Sequence, residues 1–170
     1  MACNQTLSGL LRDCAASMGG IVEAYIANYD DVASLTETGG KISAIGMEAS
    51  AKFRGYAFRK GTGSFTSTLN VDPATGVNYV SSAIVLTFSK METTKRVEMA
   101  ALAQNELAVI VKDANGLFWY FGHDFAVTAT AGDGQTGTAI GDANRYTITL
   151  TDNSKTFPME VEASAVDSVI

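Results

Sequence analysis

The sequence predicts a mainly β domain: a β-sandwich with one flanking helix at about residues 90–104. Three observations predict it. Runs rich in β-branched and aromatic residues recur at sandwich spacing, about eight to ten of them. Most alternate apolar residues with hydroxylated or charged ones, the period of a strand with one wet face. Only after Phe88 does the spacing change to that of a helix.

The central stretch runs from Tyr79 to Gly122. In Tyr79 to Phe88, Ser82, Ile84, Leu86 and Phe88 share one face, and Ser81, Ala83, Val85 and Thr87 the other. Ser89 followed by Glu92 has the form of a capping box, in which both side chains satisfy orphan N–H groups at a helix start. Met91, Lys95, Met99, Leu102 and Ala103 then form one apolar stripe, with the Lys95 stem inside it. Lys90, Thr93 and Glu98 face water. Leu107 to Val111 returns to strand spacing, and Asp113-Ala114-Asn115-Gly116 turns the chain into Leu117-Phe118-Trp119-Tyr120-Phe121. Asn-Gly favours such a hairpin because both residues tolerate positive φ. Alternation places Phe118 and Tyr120 on one face and Trp119 and Phe121 on the other, the pattern of a sheet covered on both sides.

The remaining elements follow in order. Residues 1–19 form an N-terminal arm: Leu7, Leu10, Leu11, Cys14 and Met18 suit one helical face, but Gly9, Gly19 and Gly20 interrupt it, so a short helix and an extended arm both fit. The main domain spans 20–162. Gly20 to Tyr29 reads as its first strand, ended by Asp30-Asp31. Val32 to Lys41 reads as turn, Ile42 to Ile45 as a short strand, and Ala51 to Arg59 as a strand with large residues on both faces, one of them expected to lie under a partner chain. Ser64 to Val71 alternates cleanly, with Phe65, Leu69 and Val71 on one face. Asp72-Pro73-Ala74-Thr75-Gly76 closes its hairpin with the strand at Tyr79. Phe125 to Thr130 reads as a strand, 132–144 as a loop of small residues, Tyr146 to Thr151 as a strand, Asp152-Asn153-Ser154 as a turn and Phe157 to Val161 as the closing strand. Residues 163–170 form a C-terminal tail expected to pack on a neighbour through Val166, Val169 and Ile170.

At 170 residues with 46% hydrophobic composition, one domain buries roughly two thirds of its unfolded surface without disulfides or metals. No apolar run approaches the roughly 18 residues of a membrane span. A net charge of −6, with 12 basic residues scattered along the chain, opposes polyanion binding, which needs clustered cations. Lys52, Arg54, Arg59 and Lys60 form the one local group and read as guards of a strand edge. Cys3 and Cys14, the two cysteines, suit a reducing compartment better than a disulfide scaffold. Leu10 to Cys14 lacks the small residues, basic region and long apolar stretch of a lipoprotein cleavage box, so export is unsupported.

Chemistry-bearing patterns are sparse. The single histidine, His123, lies beside Asp124 but no nucleophile signature accompanies it, so it reads as a turn histidine rather than a catalytic dyad. One His and two N-terminal Cys make no tetrahedral metal set, and Asp30-Asp31 and Asp133-Gly134 lack the ligand run of a calcium loop. Gly132 to Gly137 has phosphate-loop glycine spacing, but Thr138 stands where Lys is needed. The expectation is no catalytic, cofactor-binding or metal residues.

Four segments carry a resemblance: Gly20 to Val32, the Ser64-Phe65-Thr66 strand, the block from Phe88 to Trp119, and Gly141-Asp142-Ala143-Asn144-Arg145-Tyr146-Thr147-Ile148-Thr149-Leu150. Through them the chain, over most of 20–160, resembles small virion proteins of tailed bacteriophages and related prophages. The resemblance implies a tail-tube-type sandwich and a homo-oligomeric ring, six-fold in the family, around a channel through which DNA passes without specific binding. It implies other tail proteins as partners, no membrane, and a place in the virion tail after assembly in the host cytoplasm. It transfers no catalytic residues. Arg145 stands where a small residue is expected, and 1–19 and 163–170 match nothing, which leaves open a repeated tube subunit or a single ring at the neck or tail tip. An acidic chain suits such a channel, with Asp30, Asp31, Glu37 and Glu48 as candidate lumen groups or ordinary surface carboxylates. Two other readings stand beside it: a carbohydrate- or surface-binding module using Trp119 and its aromatic neighbours, and an enzyme using His123 and Asp124.

Overall fold

The computed structural model describes residues 7–170. Cys3, weighed above, and the start of the arm lie outside the described residues. Eleven strands and two helices are described: β1 Ile21–Asn28, β2 Val32–Thr38, β3 Lys41–Met47, β4 Arg54–Tyr56, β5 Gly63–Asp72, β6 Val77–Ser89, α1 Thr93–Gln104, β7 Leu107–Asp113, β8 Phe118–Phe121, β9 Thr128–Gln135, β10 Arg145–Ser154, β11 Met159–Val161 and α2 Ala163–Asp167. A seven-stranded sheet has the order β2-β3-β11-β8-β7-β1-β4, and a four-stranded sheet the order β5-β6-β10-β9.

The two sheets face each other across a core of Ile21, Ile26, Val109, Val111 and Phe121 from the larger sheet and Ile84, Leu86, Phe88, Ile148 and Leu150 from the smaller. The β6 alternation holds throughout: Ser82, Ile84, Leu86 and Phe88 are buried, and the residues between them half-buried. Trp119 packs against this core while Phe118 and Tyr120 enter a second one on the far face of the large sheet, the division that alternation predicts.

That second core corrects an expectation. Ile42, Ile45, Phe53, Ala165, Val166 and Val169 close over Ala108, Ile110 and Tyr120, so the chain itself covers the far face. Val166 and Val169, expected to reach a neighbour, are buried within their own chain, and Phe53 N–H donates to the Val169 carbonyl at 2.9 Å. Around the short strand β4, Phe53 enters the far core while Tyr56 and Phe58 pack on the central one. Large residues on both faces are thus satisfied without a partner.

Helix α1 keeps the expected stripe in Leu102, buried, and Lys95 and Met99, half-buried, with Met91 half-buried just before it, but Ala103 is exposed. The capping box does not form. The helix starts at Thr93 with Glu92 as N-cap and no side-chain cap, because Glu92 pairs with Lys95 Nζ at 3.0 Å and Lys95 also donates to the Ser89 carbonyl at 2.7 Å.

Four further boundaries differ from the sequence reading. Val32 to Thr38 is strand, paired with β3 around Gly39-Gly40. Gly132 to Gln135 belongs to β9, in register with β10, which removes any phosphate-loop geometry. Strand β10 continues through Asp152 to Ser154, paired with Ser82 to Val80 of β6. At the β7–β8 turn only Gly116 has positive φ, +91°; Asn115 does not, and its amide is used elsewhere. The loop is a turn closed by a glycine in the left-handed region rather than a two-residue primed turn.

Candidate assembly interface

The four-stranded sheet ends on both sides in an unpaired strand. β5 bonds to β6 and β9 bonds to β10, and neither has a second partner among the described residues. All three pairings within the sheet are antiparallel, so β5 and β9 run in opposite directions. Long edges of this kind offer a row of free N–H and C=O groups to another chain.

Register fixes which side chains share each face. Phe65, Ser67 and Leu69 lie opposite Ile84, Ser82 and Val80, on the side that faces the core. The β5–β6 hairpin runs past the core, leaving Leu69 49% and Val71 58% exposed on that inner side. Asp72 closes its tip by accepting from Ala74 N–H at 2.9 Å and Thr75 Oγ1 at 2.8 Å. Beside the other edge, between α1 and the inner side of β9, lies an apolar groove of about 420 Å³ lined by Met99, Ala103, Ala129, Tyr146 and Ile148. Gly134 opens it: a Cβ there would lie 2.8 Å from the Tyr146 ring and 3.1 Å from Met91.

The outer side of the sheet carries hydroxyls. Ser64, Thr66 and Thr68 of β5 pair with Val85, Ala83 and Ser81 of β6, and Thr147, Thr149 and Thr151 of β10 pair with Thr87, Val85 and Ala83. Charges on this side stand at its margins: Asp72 at the hairpin tip, Asp133 on β9 and Arg145 at the start of β10. Thr130 and Thr151 hydroxyls bond at 2.8 Å.

The residues singled out from sequence fall elsewhere. Asp30 and Asp31 sit in a short 3-10 turn after β1, Glu37 on β2, and Glu48 beyond β3, its N–H bonded to the Asp31 carbonyl at 2.9 Å; all four belong to the large-sheet side. Trp119 is no free platform, since its indole N–H donates to Asp113 Oδ2 at 3.1 Å and its ring is tilted against Phe65 at 6.5 Å. Lys52 Nζ donates to the Ile170 carbonyl at 2.7 Å, beside edge strand β4. Cys14 is exposed and free.

His123 lies between two acids: Nε2 is 2.6 Å from Glu37 Oε1 and Nδ1 3.5 Å from Asp124 Oδ1. Glu37 is an acid that sequence spacing could not place there. No Ser, Thr or Cys side chain bonds to the ring among the described residues, so no nucleophile–base pair is assembled. Asp124 Oδ2 accepts from Lys155 N–H at 2.7 Å, and that bond, helped by the Lys155 and His123 charges, outweighs burial and leaves its carboxyl below the usual range. Behind this cluster lies Asp152, 2% exposed. Its Oδ2 accepts from Ser154 Oγ at 2.9 Å and its Oδ1 has no partner; burial pushes this carboxyl up, against the Ser154 bond. Nothing in the sequence except the inward parity of β10 signalled a buried acid. No group of three or more potential metal ligands occurs among the described residues, and no described helix is long and apolar enough to cross a membrane.

Compared with models of protein families, with curated proteins and with solved structures, the chain matches none.

Proposed function

We propose that the protein is a structural subunit that assembles with its own copies into a ring around a channel for DNA, as a component of a bacteriophage tail. The observation that carries this reading is the pair of unpaired, oppositely running edges of the four-stranded sheet. When β5 of one copy meets β9 of the next, the antiparallel alternation continues without interruption. The contact is heterologous, and it makes a ring when the rotation between copies divides a full turn. Side-chain parity supports the same pairing: the exposed Leu69 and Val71 lie on the inner side, as does the α1–β9 groove, so one copy's hairpin fills its neighbour's groove.

In such a ring the hydroxyl-bearing side of the small sheet faces the channel. A surface mainly of Ser, Thr, Ala and Val, with Asp72, Asp133 and the single cation Arg145 at its margins, offers DNA no cluster of cations, so phosphates slide past with little counterion release. Asp30, Asp31, Glu37 and Glu48 take no part in that lining. The virion assignment rests on the sequence resemblance together with this geometry.

The test is the size of the purified full chain across concentrations, by sedimentation and negative-stain imaging. Closed rings are expected for the natural chain and monomers for the Leu69→Lys, Val71→Lys double variant, whose substituted side chains are exposed in the monomer. A natural chain that stays monomeric at every concentration refutes the reading.

A further inference from the structure

The turn between β7 and β8 carries chemistry of its own. Asn115 is followed by Gly116, the one Asn-Gly pair in the chain, and both residues are exposed. An asparagine can lose its side-chain amide without an enzyme: the backbone nitrogen of the next residue attacks Cγ and closes a cyclic imide. Glycine presents that nitrogen with no Cβ to block the approach, and the reaction needs the two atoms brought into line.

The fold restrains both reacting groups. Asn115 Oδ1 accepts from Met18 N–H at 2.8 Å and Nδ2 donates to the Met18 carbonyl at 3.0 Å, so both ends of the side-chain amide are tied to a segment 97 residues away in the chain. The attacking nitrogen is engaged as well, since Gly116 N–H donates to the Asp113 carbonyl at 3.1 Å. Asn115 N–H donates to Asp113 Oδ1 at 2.8 Å, which fixes the backbone between them. Residue 18 is the weaker side of this clamp: Met18 is 62% exposed, and residues 7–17 before it form no helix or strand.

We propose that Asn115 is a site of self-deamidation gated by the Met18 clamp, and that the reaction loosens the root of the N-terminal arm irreversibly. Local movement of residue 18, without unfolding of the domain, frees the Asn115 amide. The Gly116 nitrogen gives up its proton to water and bonds to Asn115 Cγ, and the Cγ–Nδ2 bond breaks with loss of ammonia. Water then opens the imide at either carbonyl and leaves aspartate or isoaspartate at 115. Either product is a carboxylate, which has no N–H for the Met18 carbonyl and sets that oxygen against an anion. Of the two clamp bonds, only the one from Met18 N–H can re-form. The new charge also stands beside Asp113, whose Oδ1 accepts from the residue 115 N–H. The Ala114 N–H to Gly20 carbonyl bond of 3.0 Å lies outside the clamp, so the strands keep their pairing and the chain before Gly20 is what loosens. The inference stands apart from the assembly reading, because none of these residues belongs to the β5 or β9 edge.

The full natural chain, held for days in warm, mildly alkaline buffer, tests it. Peptide mapping by mass spectrometry, with isoaspartyl methyltransferase labelling of the same digests, is expected to find aspartate and isoaspartate accumulating at 115 while the other asparagines stay largely intact. Met18→Pro, which deletes the N–H that Asn115 Oδ1 accepts, is expected to convert about tenfold faster, and Asn115→Gln is expected not to convert. Converted chains, separated by their added negative charge, are expected to lose hydrogen-exchange protection at the Met18 N–H while β6 and β10 keep theirs. A check that needs no variant is a series of low denaturant concentrations, in which conversion and Met18 exchange in the natural chain should rise together. The inference is overturned if residue 115 remains asparagine throughout, if a folded Met18→Pro chain converts no faster, if conversion in the natural chain does not follow Met18 exchange, or if converted chains keep their Met18 protection.

Discussion

Asp152 shows how one residue records its surroundings. Ser82 and Ser67, bonded hydroxyl to hydroxyl at 2.7 Å, and Ser154 make the space between the sheets polar at the hairpin end, but one carboxylate oxygen remains without a donor. Burial holds the folded-state pKa above its ordinary value, so the folded chain binds this proton more tightly than the unfolded one. The contribution to stability is then complete below the unfolded carboxyl range and is lost as pH rises through the folded value. Asp152→Asn, which imitates the protonated group, should gain about 1–2 kcal/mol over the natural chain on going from pH 4 to pH 8. Chemical denaturation at several pH values measures this, and parallel curves for the two proteins would contradict it. Asp113 behaves in the opposite sense. Burial raises its pKa, but bonds from Trp119 Nε1 and from the Leu117 and Asn115 N–H groups outweigh burial and leave it below the ordinary range. Its contribution is present above the unfolded carboxyl range and is lost as pH falls through the folded value. Asp113→Ala should cost about 2 kcal/mol near neutrality, and the difference from the natural chain should shrink in acid, as denaturant midpoints at the two pH values will report.

Among the elements, α1 is held by few side chains. Leu102 is its one buried residue, so Leu102→Ala should cost about 2–4 kcal/mol, whereas Val97→Ala, on the exposed side, should stay within about 0.5 kcal/mol. Equal losses at both sites would mean that the helix packs differently. Strand β9 depends on the absence of a side chain: Gly134→Ala forces the Tyr146 ring or Met91 to shift, at roughly 1–3 kcal/mol, measurable as a fall in melting temperature. Legibility in the sequence varied by element for physical reasons. Strand β6 alternates because one sheet face meets a core and the other meets water, a contrast that composition records directly. Strand β2 was unreadable, since Val32 to Thr38 is an edge with little buried surface to impose a period. β9, with its two glycines, looked like a loop because its inner side needs space for Tyr146. The C-terminal turn α2 could not be told from a partner-binding tail, because burial against one's own sheet and burial against another copy select the same apolar residues.

Across the whole molecule, the proposed ring predicts a surface indifferent to DNA. Assembled protein should not retard duplex DNA at about 0.1 M salt, because its channel side carries hydroxyls rather than clustered cations. Replacing Thr149 and Thr151 with Lys should introduce retention that falls steeply with added salt, and retention by the natural assembly would contradict the lining assigned to the small sheet. The same scale exposes the limit of arguing assembly from apolar strands. The large sheet is apolar on both faces, yet its own β2–β3 hairpin, residues around Phe53 and α2 cover the second face. What the described residues leave for partners includes the β5 and β9 edges, the hairpin and the groove, beside the β2 and β4 edges of the large sheet.

From residue order alone come the mainly β class, the single main helix, the two-faced placement of Phe118 to Phe121 and the scarcity of catalytic patterns, since all of these depend on local period and composition. Only the tertiary structure decided which apolar faces the chain closes for itself, that Glu37 lies against His123 from 86 residues away, and which strands end a sheet. Such facts depend on long-range strand order, and a period-two pattern is the same in a central strand and at an open edge.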